Sequence, residues 1–370
     1  MKKILFIIPS LGAGGAERVL VDILNRFDYE KYDVSLFVIH YFGPYVSQIN
    51  ENVKVIIYSE GKGGILYRII SRIMRLLRIS DYFGKNKTRS VISSSFDTII
   101  SFTTNEALYY HSFIFDRANR NVSWVHVDVE KNHNSYPFSS RHAELEAYRQ
   151  IDSIVFVSND AQDAFNKVYQ ELDIPQSVIY NLIDKDAIQD KANQLKLEHG
   201  ELTVVTVGRL IPVKGFDRLV YVAKKLKNEH IKAQIQILGE GVLKTQLQEM
   251  IEREDVEDVV KLLGFQSNPY PYISNADVFV SSSLSEAFPL VVCESLCLGK
   301  AIVSTKTTGP IELLADKYGM LVDQSEQALY EGIKKILTDE KLRHHYEAMA
   351  LERSKMFMPE ETMKAIYKII

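Results

Sequence analysis

Cysteine is scarce in this sequence, with two residues in a chain of 370, Cys293 and Cys297. They stand four positions apart in a segment of helical character, and two thiols placed in this way rarely form a disulfide. No other cysteine and no cluster of histidines completes a zinc-binding set. We therefore expect two small buried thiols in a reducing compartment, with neither a zinc site nor a disulfide framework.

Long apolar runs and a strong charge imbalance are also missing. No apolar stretch approaches the roughly 20 residues needed to cross a bilayer. The short run Lys3–Pro9 passes directly into a glycine-rich loop, so it predicts a first buried strand rather than a signal peptide. The net charge of −4 gives no general attraction to nucleic acid. We expect a cytoplasmic protein without a nucleic-acid partner.

The most informative stretch is 283–300, which reads SLSEAFPLVVCESLCLGK. An apolar strand is predicted before it, at Asp277–Ser281. Proline fits the first turn of a helix, so the stretch predicts a helix over Pro289–Leu298. Glu286 then lies on the loop before this helix, and Glu294 lies inside it.

The start of this helix could bind an anion, because the amides of Leu290 and Val291 have no acceptor within the helix. With a carboxylate on each side, one glutamate could bind hydroxyls of a sugar and the other hydroxyls of a ribose. The spacing alone equally allows two glutamates that merely favour the positive end of the helix dipole. The position at the carboxyl end of a strand favours a nucleotide-sugar site.

Two glycine-rich turns also follow predicted strands. The first strand leads into GAGGAERV, and the strand Thr203–Val207 leads into GRLIPVKGFD, where Arg209 and Lys214 stand between two glycines. Glycine permits positive φ and close backbone approach. Simple turn geometry for the first, and a solvated basic loop for the second, remain open alternatives.

Together these three motifs resemble family 4 of the retaining glycosyltransferases, and the resemblance covers essentially the whole chain. It implies an α/β fold of the GT-B type, with two Rossmann-like doubly wound domains facing each other across a cleft. On this basis we expect an acceptor-binding domain at 1–178 and a nucleotide-sugar-binding domain at 179–355. A C-terminal helix at 356–370 should cross back to the first domain.

The resemblance also assigns roles to residues. Arg209 and Lys214 should hold the donor diphosphate, so that neither a metal nor another cofactor is needed. Glu286 should bind hydroxyls of the sugar and Glu294 those of the ribose, while His126 should lie near the reacting sugar, with Asp128 as a second candidate. The expected catalytic residues are His126, Glu286, Arg209 and Lys214. The other expected donor-binding residues are Gly14, Gly15, Gly239, Gly264, Phe265, Phe288, Pro289, Leu290, Val291 and Glu294.

The implied function is transfer of a sugar, with retention, from a nucleotide-sugar to a glycan or lipid-linked glycan in cell-envelope polysaccharide assembly. We expect a UDP-sugar as the donor. Two alternatives stay open at this point. One is a sugar-nucleotide epimerase of the same two-domain build, and the other is a non-catalytic homologue that binds nucleotide-sugar.

One further segment, Ile65–Ile79, has arginines every three or four residues on one side and isoleucine or leucine on the rest. Such a pattern predicts a basic amphipathic helix, which suits the surface of a membrane. It is equally typical of a helix that docks on the protein with its arginines in water. In the first case the protein is peripheral on the inner face of the cell membrane.

We predict that changing Arg68, Arg72, Arg75 and Arg78 together to glutamine abolishes binding to anionic liposomes. Each arginine near an anionic surface contributes about 1 kcal/mol. Sedimentation with liposomes measures the binding, which should fade with salt and be weak on neutral liposomes. Equal sedimentation of variant and wild type would leave Ile65–Ile79 as an ordinary surface helix.

Overall fold

The computed structural model describes residues 1–12, 14–61, 80–131, 135–197 and 200–370. The predicted basic helix Ile65–Ile79 lies outside the described residues. The chain divides into two compact units, the first formed by Met1–Leu182 with Glu360–Ile370 and the second by Ile183–Pro359. The division therefore falls after Leu182 and after Pro359, where the sequence suggested residues 178 and 355.

The first unit is built on a parallel sheet of seven strands in the order β3-β2-β1-β4-β5-β6-β7. Ile4 to Ile8 on β1, an interior strand of this sheet, are fully buried, as expected for a parallel sheet covered on both faces. The strands are β1 (Lys2–Ile8), β2 (Tyr32–Tyr41), β3 (Lys54–Glu60), β4 (Phe96–Ser101), β5 (Ala118–Val125), β6 (Ser153–Phe156) and β7 (Gln176–Val178).

The second unit repeats this design with six parallel strands in the order β10-β9-β8-β11-β12-β13. Its strands are β8 (Leu202–Val207), β9 (Ala233–Leu238), β10 (Val260–Gly264), β11 (Val278–Ser281), β12 (Ala301–Thr305) and β13 (Met320–Val322). In both sheets the strand order reverses once, between β1 and β4 and between β8 and β11. The predicted fold class of two Rossmann-like, doubly wound domains is confirmed.

Helices connect the strands. Within the described residues of the first unit they are α1 (Gly15–Leu24), α2 (Ser80–Val91), α3 (Glu106–Ser112), α4 (Arg141–Tyr148) and α5 (Asn159–Val168). Those of the second unit are α6 (Lys185–Ala192), α7 (Asp217–Asn228), α8 (Lys244–Arg253), α9 (Tyr270–Asn275), α10 (Leu290–Cys297), α11 (Thr308–Leu314), α12 (Glu326–Thr338) and α13 (Glu340–Ser354). In the described part of the chain, no helix combines the length and hydropathy that crossing a membrane requires.

The last helix, α14 (Pro359–Ile369), follows the second unit in sequence but packs in the first. Its Tyr367 ring stacks on Tyr32 with ring centroids 5.0 Å apart, and the Tyr367 hydroxyl accepts a hydrogen bond of 3.0 Å from the Asp28 amide. The apolar side chains Met363 and Ile366 are buried. The first unit is therefore completed by residues that are made after the whole of the second.

Candidate active site

The second unit places its charged motif residues where the strand order reverses, between β8 and β11, which is where open α/β sheets bind ligands. Lys214 ends a short 3-10 turn after β8, and Glu286 lies on the loop after β11. The Lys214 ammonium donates to the Glu286 carboxylate, and their side chains are only 20% and 14% exposed. Two motifs that are far apart in sequence thus meet in one ion pair.

The loops that carry these two residues are joined by hydrogen bonds to main-chain carbonyls. The Ser282 hydroxyl donates to the Lys214 carbonyl at 2.8 Å, and the Leu284 amide donates to the Val213 carbonyl at 2.7 Å. The Ser283 hydroxyl donates to the Glu286 carboxylate at 2.7 Å. These serines were not predicted as site residues, although a run of serines directly after a strand could have signalled such contacts.

Glycines let the neighbouring strand ends come close together. Gly239 has φ +143°, and a Cβ added there would lie 1.8 Å from the Gly208 carbonyl oxygen. The Gly239 amide donates to the Gly264 carbonyl at 2.8 Å, and the Gly208 amide donates to the Leu238 carbonyl at 2.9 Å. The Gly208 backbone therefore leaves no space for a side chain at residue 239. Only glycine allows the ends of β8, β9 and β10 to approach one another this closely.

The helix after Glu286 starts one residue later than the sequence suggested. Pro289 is the N-cap with an extended backbone, at φ −73° and ψ 105°, and α10 begins at Leu290. In the described structure, no acceptor binds the amides of Leu290 or Val291, whereas the Val292 amide donates to the Pro289 carbonyl at 3.0 Å. Two donors at the start of α10 are therefore available to an anion.

Glu294 lies one turn further along α10 and is buried, with 2% of its surface exposed. The Tyr270 hydroxyl donates to its carboxylate at 3.2 Å, a contact that the sequence did not suggest because Tyr270 belongs to a different helix. Phe288 is also buried. A ligand that reaches Glu294 must therefore share this carboxylate with Tyr270.

Arg209 and Phe265 are exposed, unlike the other predicted donor-binding residues of this unit. Within the described residues the Arg209 guanidinium has neither a hydrogen-bond acceptor nor an ion pair. Phe265 follows Gly264, which ends β10 with φ +68°. The structure thus offers one cation without a partner and one exposed aromatic ring at the same edge of the sheet.

The segment after β12 holds the Glu286 loop from a second side. The Thr308 hydroxyl and the Gly309 amide donate to the Glu286 carbonyl at 2.7 and 2.9 Å. Thr307 is the N-cap of α11, which begins at Thr308. Pro310 is compatible with that start, since the first helical turn needs no amide from it.

The predicted site residues of the first unit lie at the ends of β1 and β5. Gly14 is the N-cap of α1, and Gly15 is its first residue. His126 directly follows β5, with its ring 4.7 Å from that of Phe102 and stacked on Trp124. The alternative candidate, Asp128, is buried and accepts hydrogen bonds from the amides of Glu130 and Lys131, which is the arrangement of a turn.

The protonation state of His126 follows from its surroundings. Burial among aromatic rings lowers the pKa of His126 to about 3, because the charged imidazolium would lose its water. Its Nε2 atom is buried and has no partner among the described residues. At neutral pH the side chain is therefore an uncharged imidazole.

Comparison with known proteins shows which protein family the second unit resembles. Residues 187–353 match the family model described as glycosyl transferases group 1. This match spans nearly all of the second unit.

A Campylobacter jejuni protein, named an N-acetylgalactosamine-N,N'-diacetylbacillosaminyl-diphospho-undecaprenol 4-alpha-N-acetylgalactosaminyltransferase, is 36% identical over 49% of this chain and 49% of its own length. This chain thus spans about half of that relative. An uncharacterized glycosyltransferase of Methanocaldococcus jannaschii is 26% identical over 92% of this chain and 93% of its own. The HepE protein of Anabaena, solved with UDP-glucose, shares the fold with a TM-score of 0.76 and 20% identity, over 100% of this chain and 99% of its own.

The close contact between Gly239 and the Gly208 backbone can be tested by substitution. Gly239→Ala should destabilise the second unit by clearly more than the about 1–2 kcal/mol that left-handed backbone alone costs, because its methyl group meets the Gly208 backbone. Gly264→Ala is the matched control, since its φ is also positive but its added Cβ meets only the flexible end of Glu240. Urea unfolding followed by circular dichroism measures both variants. Equal stabilities of the two would contradict the steric argument.

Proposed function

We propose that this protein transfers a sugar from a UDP-sugar, with retention, to a glycan or lipid-linked glycan acceptor. The observation that carries the proposal is the meeting of Lys214 with Glu286 at the point where the second sheet reverses its strand order. A cation, a carboxylate and free helix amides there match the phosphates and hydroxyls of a nucleotide-sugar. The match of the second unit to the family model of glycosyl transferases group 1 supports the reaction class.

In the proposed reaction, Arg209 and Lys214 stabilise the negative charge that develops on the leaving diphosphate. Arginine offers a fork of donors and lysine a compact charge, so we propose that no metal ion and no other cofactor is required. The amides of Leu290 and Val291 add two neutral donors. When a phosphate replaces Glu286 as the ion-pair partner of Lys214, the Glu286 carboxylate becomes available to hydroxyls of the sugar.

We propose front-side substitution for the transfer step. The bond from the anomeric carbon to the phosphate oxygen breaks while the bond to the acceptor oxygen forms on the same face, which retains the configuration. The proton of the acceptor hydroxyl passes to the departing phosphate oxygen. His126, neutral at physiological pH, holds a hydroxyl of the reacting sugar by a hydrogen bond.

The substrates are proposed from the relatives. HepE of Anabaena was solved with UDP-glucose, which supports a UDP-sugar donor. The name of the Campylobacter jejuni relative describes an acceptor on diphospho-undecaprenol, which supports a lipid-linked glycan and a role in cell-envelope polysaccharide assembly. An acceptor of this kind lies in a membrane, so we propose a cytoplasmic protein that associates peripherally with the inner face.

The experiment that tests this function screens the purified chain against UDP- and GDP-sugars by thermal shift and by hydrolysis. A ligand at a hundred times its dissociation constant stabilises the folded protein by about 2.7 kcal/mol. We expect a UDP-sugar to stabilise and to be hydrolysed slowly, and both effects to survive excess EDTA. Loss of hydrolysis on chelation, restored by magnesium, would contradict metal independence. Binding without hydrolysis would favour a non-catalytic homologue, and an altered but intact UDP-sugar would favour an epimerase.

The two glutamates should respond differently to substitution. Glu294→Gln should weaken UDP binding and turnover alike, because a ribose contact exists in the ground state and in the transition state. Glu286→Gln should lower turnover without weakening UDP binding, since the substitution releases Lys214 from its ion pair. Calorimetric titration with UDP and donor hydrolysis measure the two effects. If both variants bind UDP as the wild type does, this division of roles is wrong.

A further inference from the structure

Arg218 is a buried arginine directly behind the candidate site. It is the second residue of α7, and 6% of its surface is exposed. Its Nη1 donates to the Gln324 carbonyl at 2.8 Å, whereas Nε and Nη2 are buried without a partner in the described part of the chain. These two donor groups therefore have neither water nor a protein acceptor to bind, and leaving them unsatisfied destabilises the folded state.

The unused edge of the guanidinium faces the loops that carry Lys214 and Glu286. A Cβ added to Gly215, the residue after Lys214, would lie 2.5 Å from Arg218 Nη2 and equally 2.5 Å from the Ser282 carbonyl oxygen. Ser282 is the residue whose hydroxyl binds the Lys214 carbonyl. The guanidinium therefore packs against the backbone of both loops, and Gly215 is required for that packing.

The bonded edge of Arg218 reaches the same loops by another route. Its acceptor, Gln324, uses its own side-chain amide to donate to the carbonyls of Leu284 and Lys306 at 3.2 and 3.0 Å. Leu284 in turn donates to the Val213 carbonyl. Arg218 is thus the buried end of a chain of contacts that runs through the Glu286 loop to the Lys214 loop.

The charge of Arg218 has no matching anion nearby. Within the described residues no carboxylate forms an ion pair with it, and the closest acidic influences, Asp217 and Glu326, are exposed. Burial lowers the pKa of Arg218, yet an arginine remains charged in a protein. A buried cation without a counter-ion is costly, so it is expected to be retained for a purpose other than stability.

We propose that Arg218 is a positioning residue for the donor diphosphate, which fixes the Lys214 and Glu286 loops from behind and adds positive charge beneath them. The proposal rests on the proposed function, in which these loops bind a nucleoside diphosphate. Arg218 itself does not touch the ligand. It acts through the backbone of Gly215 and Ser282 and through its unneutralised charge.

The test compares Arg218→Met, which removes charge and donors at similar volume, with Arg218→Lys, which keeps the charge. Arg343→Met is the matched control. Arg343 is also nearly buried, at 12% side-chain exposure, and it also donates to the main-chain carbonyls of Ile336 and Leu337. Unlike Arg218, it has an ion-pair partner, Asp277, at 4.0 Å. For each full-length variant we would measure the melting temperature, the dissociation constant of UDP, and kcat and KM for hydrolysis of the best UDP-sugar. Hydrogen exchange of segments 209–216 and 282–289 is measured without nucleotide.

We expect Arg218→Met to lower kcat at least about tenfold, as misplaced catalytic groups do, and to weaken UDP binding. Exchange should accelerate in both loop segments, and Arg218→Lys should recover most of the loss in UDP binding. Arg343→Met should lower only the melting temperature. The inference is overturned if Arg218→Met resembles Arg343→Met in kcat, KM and loop exchange. If the wild type binds no nucleotide, the proposed function is wrong. If hydrogen exchange of the two loop segments is then also unchanged in Arg218→Met, the positioning role of Arg218 is wrong as well.

Discussion

The ion pair between Lys214 and Glu286 is the contact on which the second unit's site depends. It joins the loop after β8 to the loop after β11, and its members are largely withdrawn from water. Each charge satisfies the other while no ligand is bound, which avoids the cost of an isolated buried charge. In the proposed reaction a phosphate replaces Glu286 as the partner of Lys214, and sugar hydroxyls replace Lys214 as the partner of Glu286. Ligand binding is then an exchange of partners in a site that is already assembled.

This exchange requires loops that hold their places while the side chains change partners. Hydrogen bonds to main-chain carbonyls hold the loops in place, because Ser282 and Leu284 bind the Lys214 loop while Thr308 and Gly309 bind the carbonyl of Glu286. The close approach of Gly239 to the Gly208 carbonyl fixes the neighbouring strand ends in the same way. These hydrogen bonds all end on main-chain carbonyls, and none involves the Lys214 ammonium or the Glu286 carboxylate, so they hold the loops whichever partners those two groups have.

The sequence allowed the strands to be predicted because a parallel strand buried on both faces is a continuous apolar run, as Ile4 to Ile8 show. The pairing of Lys214 with Glu286 was not predicted directly, since only the resemblance placed both at the donor. The start of the helix at Pro289 was less accurate, because proline suits both an N-cap and a first helical turn. Arg218 was missed entirely. In the run KGFDRLV it resembles an exposed helical charge, and its burial depends on the Gln324 carbonyl, more than a hundred positions away in the chain.

The return of α14 (Pro359–Ile369) to the first unit has a consequence for biosynthesis. Tyr367 and the buried side chains around it complete the surface of β2 and the segment near Asp28, which the ribosome makes near the beginning of the chain. Domains generally fold as units during synthesis, the N-terminal one first. Here the N-terminal unit cannot be completed until α14 is made, after the whole of the second unit. For most of its synthesis the nascent chain therefore exposes the apolar surface that α14 covers. A polypeptide released early, before Tyr367, would keep that surface and become a target for chaperones or proteases.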